Sequence, residues 1–273
     1  MKRYVALLVA IAALAVGIAA DATSGRVTAV NRYNPSAPLS SYPLTLQLRA
    51  DLGLPGGTVD GAQFASWTDQ SVTASVWSQG TGANQPTYRA TGGPNNGPYI
   101  DFGVAAATTF LQTASSQFTG QTGIDMFFVY RTIAIPPTSP GTPGIGDLAT
   151  DQTGDFLPYN DGNIYLAFGS TTRHTVTGGM SAIPANVWCV LRVTSTSSEW
   201  TMQVNGRTIF TTATNTFGIA GQGGTTIYFG KEPGGQHFKG GLASMIFFSA
   251  KLNASQYQGF KQYIYTAHGL TMQ

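Results

Sequence analysis

Between Trp188 and Phe248 the chain alternates apolar and polar positions in four successive runs, WCVLRVTS, WTMQVNGRTIF, TTIYFGK and FKGGLASMIFFS. In the second run Trp200, Met202 and Val204 fall on one side, and Thr201, Gln203 and Asn205 on the other. That is the period of two of a half-buried antiparallel strand. Asn205-Gly206 breaks the alternation. An Asn-Gly pair supplies the two positive φ angles of a type I′ turn, so the run predicts a hairpin. The same pattern assigns Trp188, Trp200, Met202, Val204, Ile246 and Phe248 to a core.

The alternation extends upstream. Leu44, Leu46 and Leu48 alternate with Thr45, Gln47 and Arg49, which predicts a strand with one core face. Residues 50 to 123 mix short apolar segments with Gly and Pro punctuation, favouring a meander or Greek key over helices. The run IDMFFVYR from Ile124 is almost continuously apolar and reads as a central strand covered on both faces. PPTSPGTPG then predicts an exposed loop. At the end of the chain Asn253 with Gln256 forms a capping-box signature, Leu252 and Tyr257 a hydrophobic staple, and Gly269 a left-handed stop. Tyr257, Phe260, Ile264 and Ala267 share one face of the helix between them, which is expected to pack on the sheets. His268 is expected near the negative end of that helix, where a protonated imidazole is favoured.

The order of four features is similar to the laminin G-like, concanavalin A-like lectin-glucanase family: a Trp-led strand, a strand ending in VNG, one ending in IYFG, and FKGGL before an apolar strand and a short helix. Upstream, LQLRAD from Leu46, ASWTDQS from Ala65, NQPTY from Asn84 and YIDFG from Tyr99 resemble the opening of bacterial and phage members. The resemblance covers roughly residues 43 to 270. It implies an all-β fold: a two-sheet antiparallel jelly-roll sandwich with one short C-terminal helix. It implies little about activity, since one architecture hosts many functions. Trp67, Asp69, Gln70 and Ser71 match the family's WTDQS pattern; Asp69 reads either as a ligand group or as a turn residue serving backbone amides beside a packed Trp.

Composition agrees with a sandwich of short strands. The 273 residues include 34 Gly and only 10% charged side chains, enough chain for one large β domain at 43–273. The formal charge of +2 comes without a basic run, which argues against a nucleic-acid partner. Lys2 and Arg3, the apolar run from Val5 to Ala19 and Ala20-Asp21-Ala22 follow the order of a secretory signal, so residues 1–22 are expected to be a signal peptide or an N-terminal anchor. Cleavage after Ala22 would leave no stable membrane span. Residues 23–42, polar and Pro-containing, read as a linker. The single cysteine, Cys189, excludes an internal disulfide and reads as a small buried hydrophobe, sharing an apolar face with Val187 and Leu191.

Candidate chemistry concentrates between residues 147 and 174. Asp147, Asp151, Asp155 and Asp161 could supply oxygens to calcium, but their spacing matches no EF-hand loop and no ligand set is assigned. Asp161-Gly162 reads more simply as a hairpin turn. Sugar recognition combines an aromatic face with planar polar groups, and Tyr159, Asn160, Asp161, Arg173 and His174 are the candidate ligand-binding residues. The alternative puts Tyr159 and Tyr165 in the core or at an edge, Asp161 in the turn, and Arg173 and His174 in solvent. An enzyme is not expected. Glycoside hydrolysis generally needs paired carboxylates; only Glu199 and Glu232 occur beside the Asp residues, and the E-x-D-x-x-E strand motif of laminarinase-type relatives is absent. No G-x-S-x-G, H-E-x-x-H or P-loop pattern occurs. The expected function is a non-catalytic binding module, secreted or at the cell surface, recognising a glycan or a cell-surface partner. The alternative is a structural virion protein that uses the same fold for assembly.

Overall fold

The computed structural model describes Leu39 and residues 41–273, apart from 104–107, 134–140, 144, 149–154, 220–224 and 232–235, together with the backbone of Ile18–Ala20 and Val27–Ala29. The chain divides into two compact units, Met1–Ala37 and Pro38–Gln273. In the first, Ile18–Ala20 pairs antiparallel with Val27–Ala29. The rest of the expected signal segment, and most of the expected linker, lie outside the described residues.

The second unit is built of antiparallel strands in sheets that form a sandwich. Its largest sheet has eight strands. Gly123–Thr132 lies near the middle, between Cys189–Thr196 and Gly240–Phe248. Glu199–Val204 and Arg207–Thr212 extend one side. On the other, Leu44–Arg49 pairs with one half of Gly240–Phe248 and Tyr99–Asp101 with the other half, followed by Thr87–Arg89. A five-stranded sheet contains Thr226–Phe229, Leu111–Ala114 and Val76–Ser78. A four-stranded sheet runs Gly141–Pro143, Phe156–Tyr159, Ile164–Leu166 and His174–Val176.

The core forms because alternate residues of each sheet turn inward. Met126, Phe128, Tyr130, Leu191, Val193, Met202, Met245 and Phe247 belong to one buried cluster with Trp77, Phe229, Ile164 and Leu166 from the smaller sheets. Trp77 stacks on Phe229 with centroids 3.9 Å apart, and Phe229 meets Phe247 edge to face. Burying such aromatics supplies the non-directional part of the stability. Two of the buried indoles are hydrogen-bonded, Trp67 Nε1 donating to Leu52 O at 2.9 Å and Trp200 Nε1 to Phe168 O at 2.9 Å, whereas Trp77 Nε1 and the Tyr130 hydroxyl have no partner among the described residues.

Trp200, Met202 and Val204 are buried, as the alternation requires, and Ile246 and Phe248 are too. Asn205 and Gly206 both have positive φ, 49° and 81°, in the expected hairpin. Trp188 departs from the expectation. It is half-buried, donating Nε1 to Gly92 O, with its ring against Tyr99 and under the Arg131 guanidinium. It precedes the strand that begins at Cys189, so it is outside the register that would have carried it into the core. Val187 is half exposed, although Cys189 and Leu191 are buried. Burial also pushes the Cys189 thiol up, away from the reactive thiolate.

The C-terminal helix, Ala254–His268, starts as a capping box. Gln256 N donates to Asn253 Oδ1 and Asn253 N donates to Gln256 Oε1, and Gly269 closes the helix at φ 66°. Phe260, Tyr263, Ile264 and His268 are its buried residues. Phe260 packs on Phe127 at 4.1 Å and Phe248 at 5.4 Å, on the face of the large sheet opposite the sandwich core. This second covering explains the uninterrupted apolar run from Ile124. His268 differs from the expectation: burial holds it down to about 4, so it is neutral at pH 7 and the favourable helix-end charge does not arise.

Candidate functional site

The site is assembled on the four-stranded sheet by one short hairpin. Tyr159 N donates to Asn163 O at 2.8 Å and Gly162 N to Tyr159 O at 3.2 Å, with Gly162 at φ 87°. Asp161-Gly162 is therefore the turn that its sequence indicates. In the following strand Ile164 and Leu166 are buried while Tyr165 is half-buried, so alternation presents Tyr165 on the face away from the core. Phe156 is its cross-strand partner.

Phe156, Tyr159, Tyr165, Arg173 and Gln236 line a groove of about 330 Å³. The Tyr159 and Tyr165 rings stand nearly perpendicular, 86° apart with centroids separated by 5.6 Å, and form an aromatic corner. Phe156 packs edge to face on Tyr159 at 4.8 Å. The Arg173 guanidinium lies 4.9 Å from the centre of the Tyr165 ring. Such a contact holds the planar cation at the rim while its N–H groups remain directed sideways.

Asp161 acts on this corner through Tyr165. Its Oδ2 accepts the Tyr165 hydroxyl at 2.7 Å and Asn163 Nδ2 at 3.0 Å, and its Oδ1 accepts Asn163 N at 2.9 Å. The Tyr165 hydroxyl, followed by the Asn163 amide, holds the Asp161 carboxyl below its usual range although it is exposed. The carboxylate thereby fixes the Tyr165 hydroxyl, and through it the ring.

The structure brings three of the five sequence-derived candidates together: Tyr159 and Arg173 at the groove, with Asp161 bracing its wall. Asn160 is exposed at the tip of the turn. His174 is on the other side of its strand, stacked on the buried Trp200 at 4.5 Å with Nε2 3.3 Å from Asn215 Oδ1. Arg173 directly precedes the strand His174–Val176, so it is outside the register that turns His174 toward Trp200. Sequence reading did not place Phe156 or Gln236 at the site. Counting back from the Tyr159–Asn163 closure would put Leu157 opposite Tyr165, and the structure has Phe156 there, one residue out of register. Gln236 comes from a distant segment, and no local pattern announces it.

Of the four acidic candidates, the two with described side chains are held by different partners. Asp155 is buried, accepting Ala167 N at 2.7 Å; Asp161 is in the exposed turn; Asp151 lies outside the described residues, and so does the side chain of Asp147. Among the described residues no group of three or more His, Cys, Asp or Glu could hold a metal ion. Asp69 is a turn residue. Its carboxylate accepts the amides of Gln47 and Ser71 at 2.7 and 2.8 Å and the Ser71 hydroxyl at 2.6 Å. Glu199 is bound to Lys251 at 2.6 Å. Among the described residues no helix is long and apolar enough to cross a membrane.

No protein-family model matches the chain, and no curated protein matches it. Similar solved structures exist. Domain 4 of AbnA, an extracellular GH43 arabinanase from Geobacillus stearothermophilus solved in complex with arabinotriose, aligns at 14% identity and a TM-score of 0.54, over 79% of this chain and 96% of that one. The binding domain of Paraclostridial Mosquitocidal Protein 1 aligns at 14% identity and 0.47, over 81% and 52%. A Trypanosoma rangeli sialidase in complex with the inhibitor DANA aligns at 9% identity and 0.47, over 79% and 32%. At these identities the likeness is one of fold.

Proposed function

We propose that this protein is a non-catalytic glycan-binding module of the laminin G-like, concanavalin A-like type, acting outside the cell or at its surface, with the groove at Tyr159 and Tyr165 as its binding site. The observation that carries the reading is the aromatic corner flanked by Arg173 and Gln236. A sugar ring offers apolar C–H groups on its faces and hydroxyls around its rim. The first pack on tyrosine, and the second pair with planar donors and acceptors. The groove volume, about 330 Å³, is at the lower end of the roughly 300–1,000 Å³ typical of small-ligand sites. It suits one or two sugar units. The fold likeness to an arabinanase domain solved with arabinotriose supports testing arabino-oligosaccharides first.

The non-catalytic part of the reading rests on side-chain inventory. Asp161, the carboxylate beside the groove, is committed to Tyr165 and Asn163, and among the described residues no carboxylate lines the groove itself.

Calorimetric titration of arabinotriose and a panel of other neutral oligosaccharides into wild type and Tyr159→Ala is the test. Loss of about 1–3 kcal/mol of binding, the range for truncating a contact hot spot, with an unchanged melting temperature supports the groove as the site. A melting temperature lowered in proportion to about 3–5 kcal/mol, as for a packed core aromatic, rejects it. Asp161→Ala should weaken binding less than Tyr159→Ala, because it loosens a wall of the groove and leaves both rings in place.

A further inference from the structure

We propose a second binding site, for a saccharide bearing a carboxylate, in the cleft between the edge strands Arg207–Thr212 and His174–Val176. Each of these strands has a single neighbour in its own sheet and ends it. Between them is a cleft of about 230 Å³, walled by Val176 and the loop 177–182 on one side and by Arg207, Thr208 and Ile209 on the other. Neither Tyr159 nor Arg173 lines it, so it is distinct from the aromatic groove.

A bulge shapes the wall. Met202 faces Phe210 and Gln203 faces Thr208, so Ile209 is the extra residue of its strand. Ile209 and Phe210 both pack against the core, while Arg207 and Thr208 are exposed. Bulges re-aim side chains at sheet edges, and here the result is an apolar floor of Ile209 and Val176 under a polar rim.

The rim has unused hydrogen-bonding capacity. Ser181 Oγ donates to Gly178 O, which leaves its lone pairs free to accept. The Thr208 hydroxyl does not contribute: it accepts from Gln203 Nε2 on the helix-covered face of the sheet, opposite Arg207. Among the described residues Arg207 makes no ion pair or side-chain hydrogen bond, whereas Arg49, Arg89, Arg192 and Lys251 are each paired with a carboxylate. Among the described residues no acidic side chain lines the cleft to neutralise it. An unpaired guanidinium presents a planar fork that matches a carboxylate bidentately. A fork for the acid, an acceptor for a hydroxyl and an apolar floor for a ring face together describe a uronic acid. The cleft is smaller than the roughly 300 Å³ at which drug-sized sites begin, so a single sugar ring is the fitting unit.

Nitrogen-15 NMR titrations of the full chain with glucuronate, glucose and sodium sulfate test the proposal. Glucuronate should shift the Arg207 Nε–H resonance and the amides of Gly178 and Thr208, and glucose should leave them in place. Arg207→Gln should raise the glucuronate dissociation constant about tenfold or more, the scale of a charge-assisted bidentate pair, and Ser181→Ala should weaken it by a smaller factor. Both side chains are exposed, so both variants should keep the wild-type melting temperature. Tyr159→Ala should leave glucuronate binding unchanged, which separates this site from the aromatic groove whatever that groove binds. The proposal is overturned if glucuronate moves none of these resonances, if glucose moves them equally, if Arg207→Gln binds as tightly as wild type, or if sulfate reproduces the glucuronate shifts with equal affinity.

Discussion

The carboxylate of Asp125, fully buried, receives two hydrogen bonds from the Arg192 guanidinium, from Nε at 2.8 Å and from Nη2 at 2.6 Å. The two residues are on adjacent central strands, beneath the C-terminal helix. Asp125 also accepts Thr194 Oγ1 and the Leu252 amide, each at 3.1 Å. Arg192 extends the network to Gln203 and lies 4.0 Å from the centre of the Tyr257 ring. The pair thus joins two strands to the start and first turns of the helix. Removing one member leaves the other charged and buried, which costs about 3–5 kcal/mol. Asp125→Ala should lower stability by that amount in urea unfolding. Asp125→Leu combined with Arg192→Met should recover most of it, because well-packed apolar replacements are often neutral or stabilising. A double variant as weak as the single one would show that the network, and not the orphaned charge, is what matters.

Gly206 is constrained twice. Its φ of 81° is unfavourable for any residue with a Cβ, and a Cβ there would be 2.5 Å from the backbone N and O of Gln273. Gln273 N donates to Asn205 O at 2.9 Å, so the end of the chain is seated on the turn. Gly206→Val should cost at least the roughly 1–2 kcal/mol of a left-handed residue with a side chain, and more if the terminus cannot move. Differential scanning calorimetry on Gly206→Val, with and without deletion of Gln273, separates the two contributions: the steric part should shrink in the shortened chain, which keeps only the contact with Met272, and the conformational part should stay.

What was legible in the sequence was local. The strand Glu199–Val204, the Asn205-Gly206 turn and the Asn253/Gln256 capping box each depend on residues within a few positions of one another, and each is present in the structure. The hairpin at Asp161-Gly162 was legible for the same reason. Trp188 was misplaced because alternation marks a face only inside a strand, and the strand starts one residue later. The candidate site was half legible. Sequence neighbours Arg173 and His174 look equivalent on paper, yet one lines the groove and the other stacks on Trp200. Gln236 reaches the groove only through the chain's return across the sandwich, and such long-range geometry leaves no periodic trace.

His268 provides a pH-dependent stability with a definite sign. Its ring is buried where the helix ends, in a small cavity also lined by Arg49, Asp51 and Pro98. Nε2 has no hydrogen-bond partner among the described residues. Burial, then the Arg49 charge, lowers it to about 4 from an ordinary 6.5, with Asp51 opposing. The unfolded chain therefore takes up a proton below pH 6.5 that the folded chain refuses until about pH 4. Stability is complete above the unfolded value, falls as pH drops through that window, and levels off below it. Across the whole window the loss is at most about 3–4 kcal/mol, and by pH 5 about 2 kcal/mol, at about 1.4 kcal/mol per unit. Urea unfolding of wild type and His268→Gln between pH 7 and pH 5 measures it as a difference, which cancels the carboxylates that titrate lower. The wild type should lose stability over this range while the variant changes much less. Parallel curves, or a His268 ring resonance that titrates with a midpoint near 6.5 in the folded protein, would show that the imidazole is solvated and that the cavity does not exclude its charge.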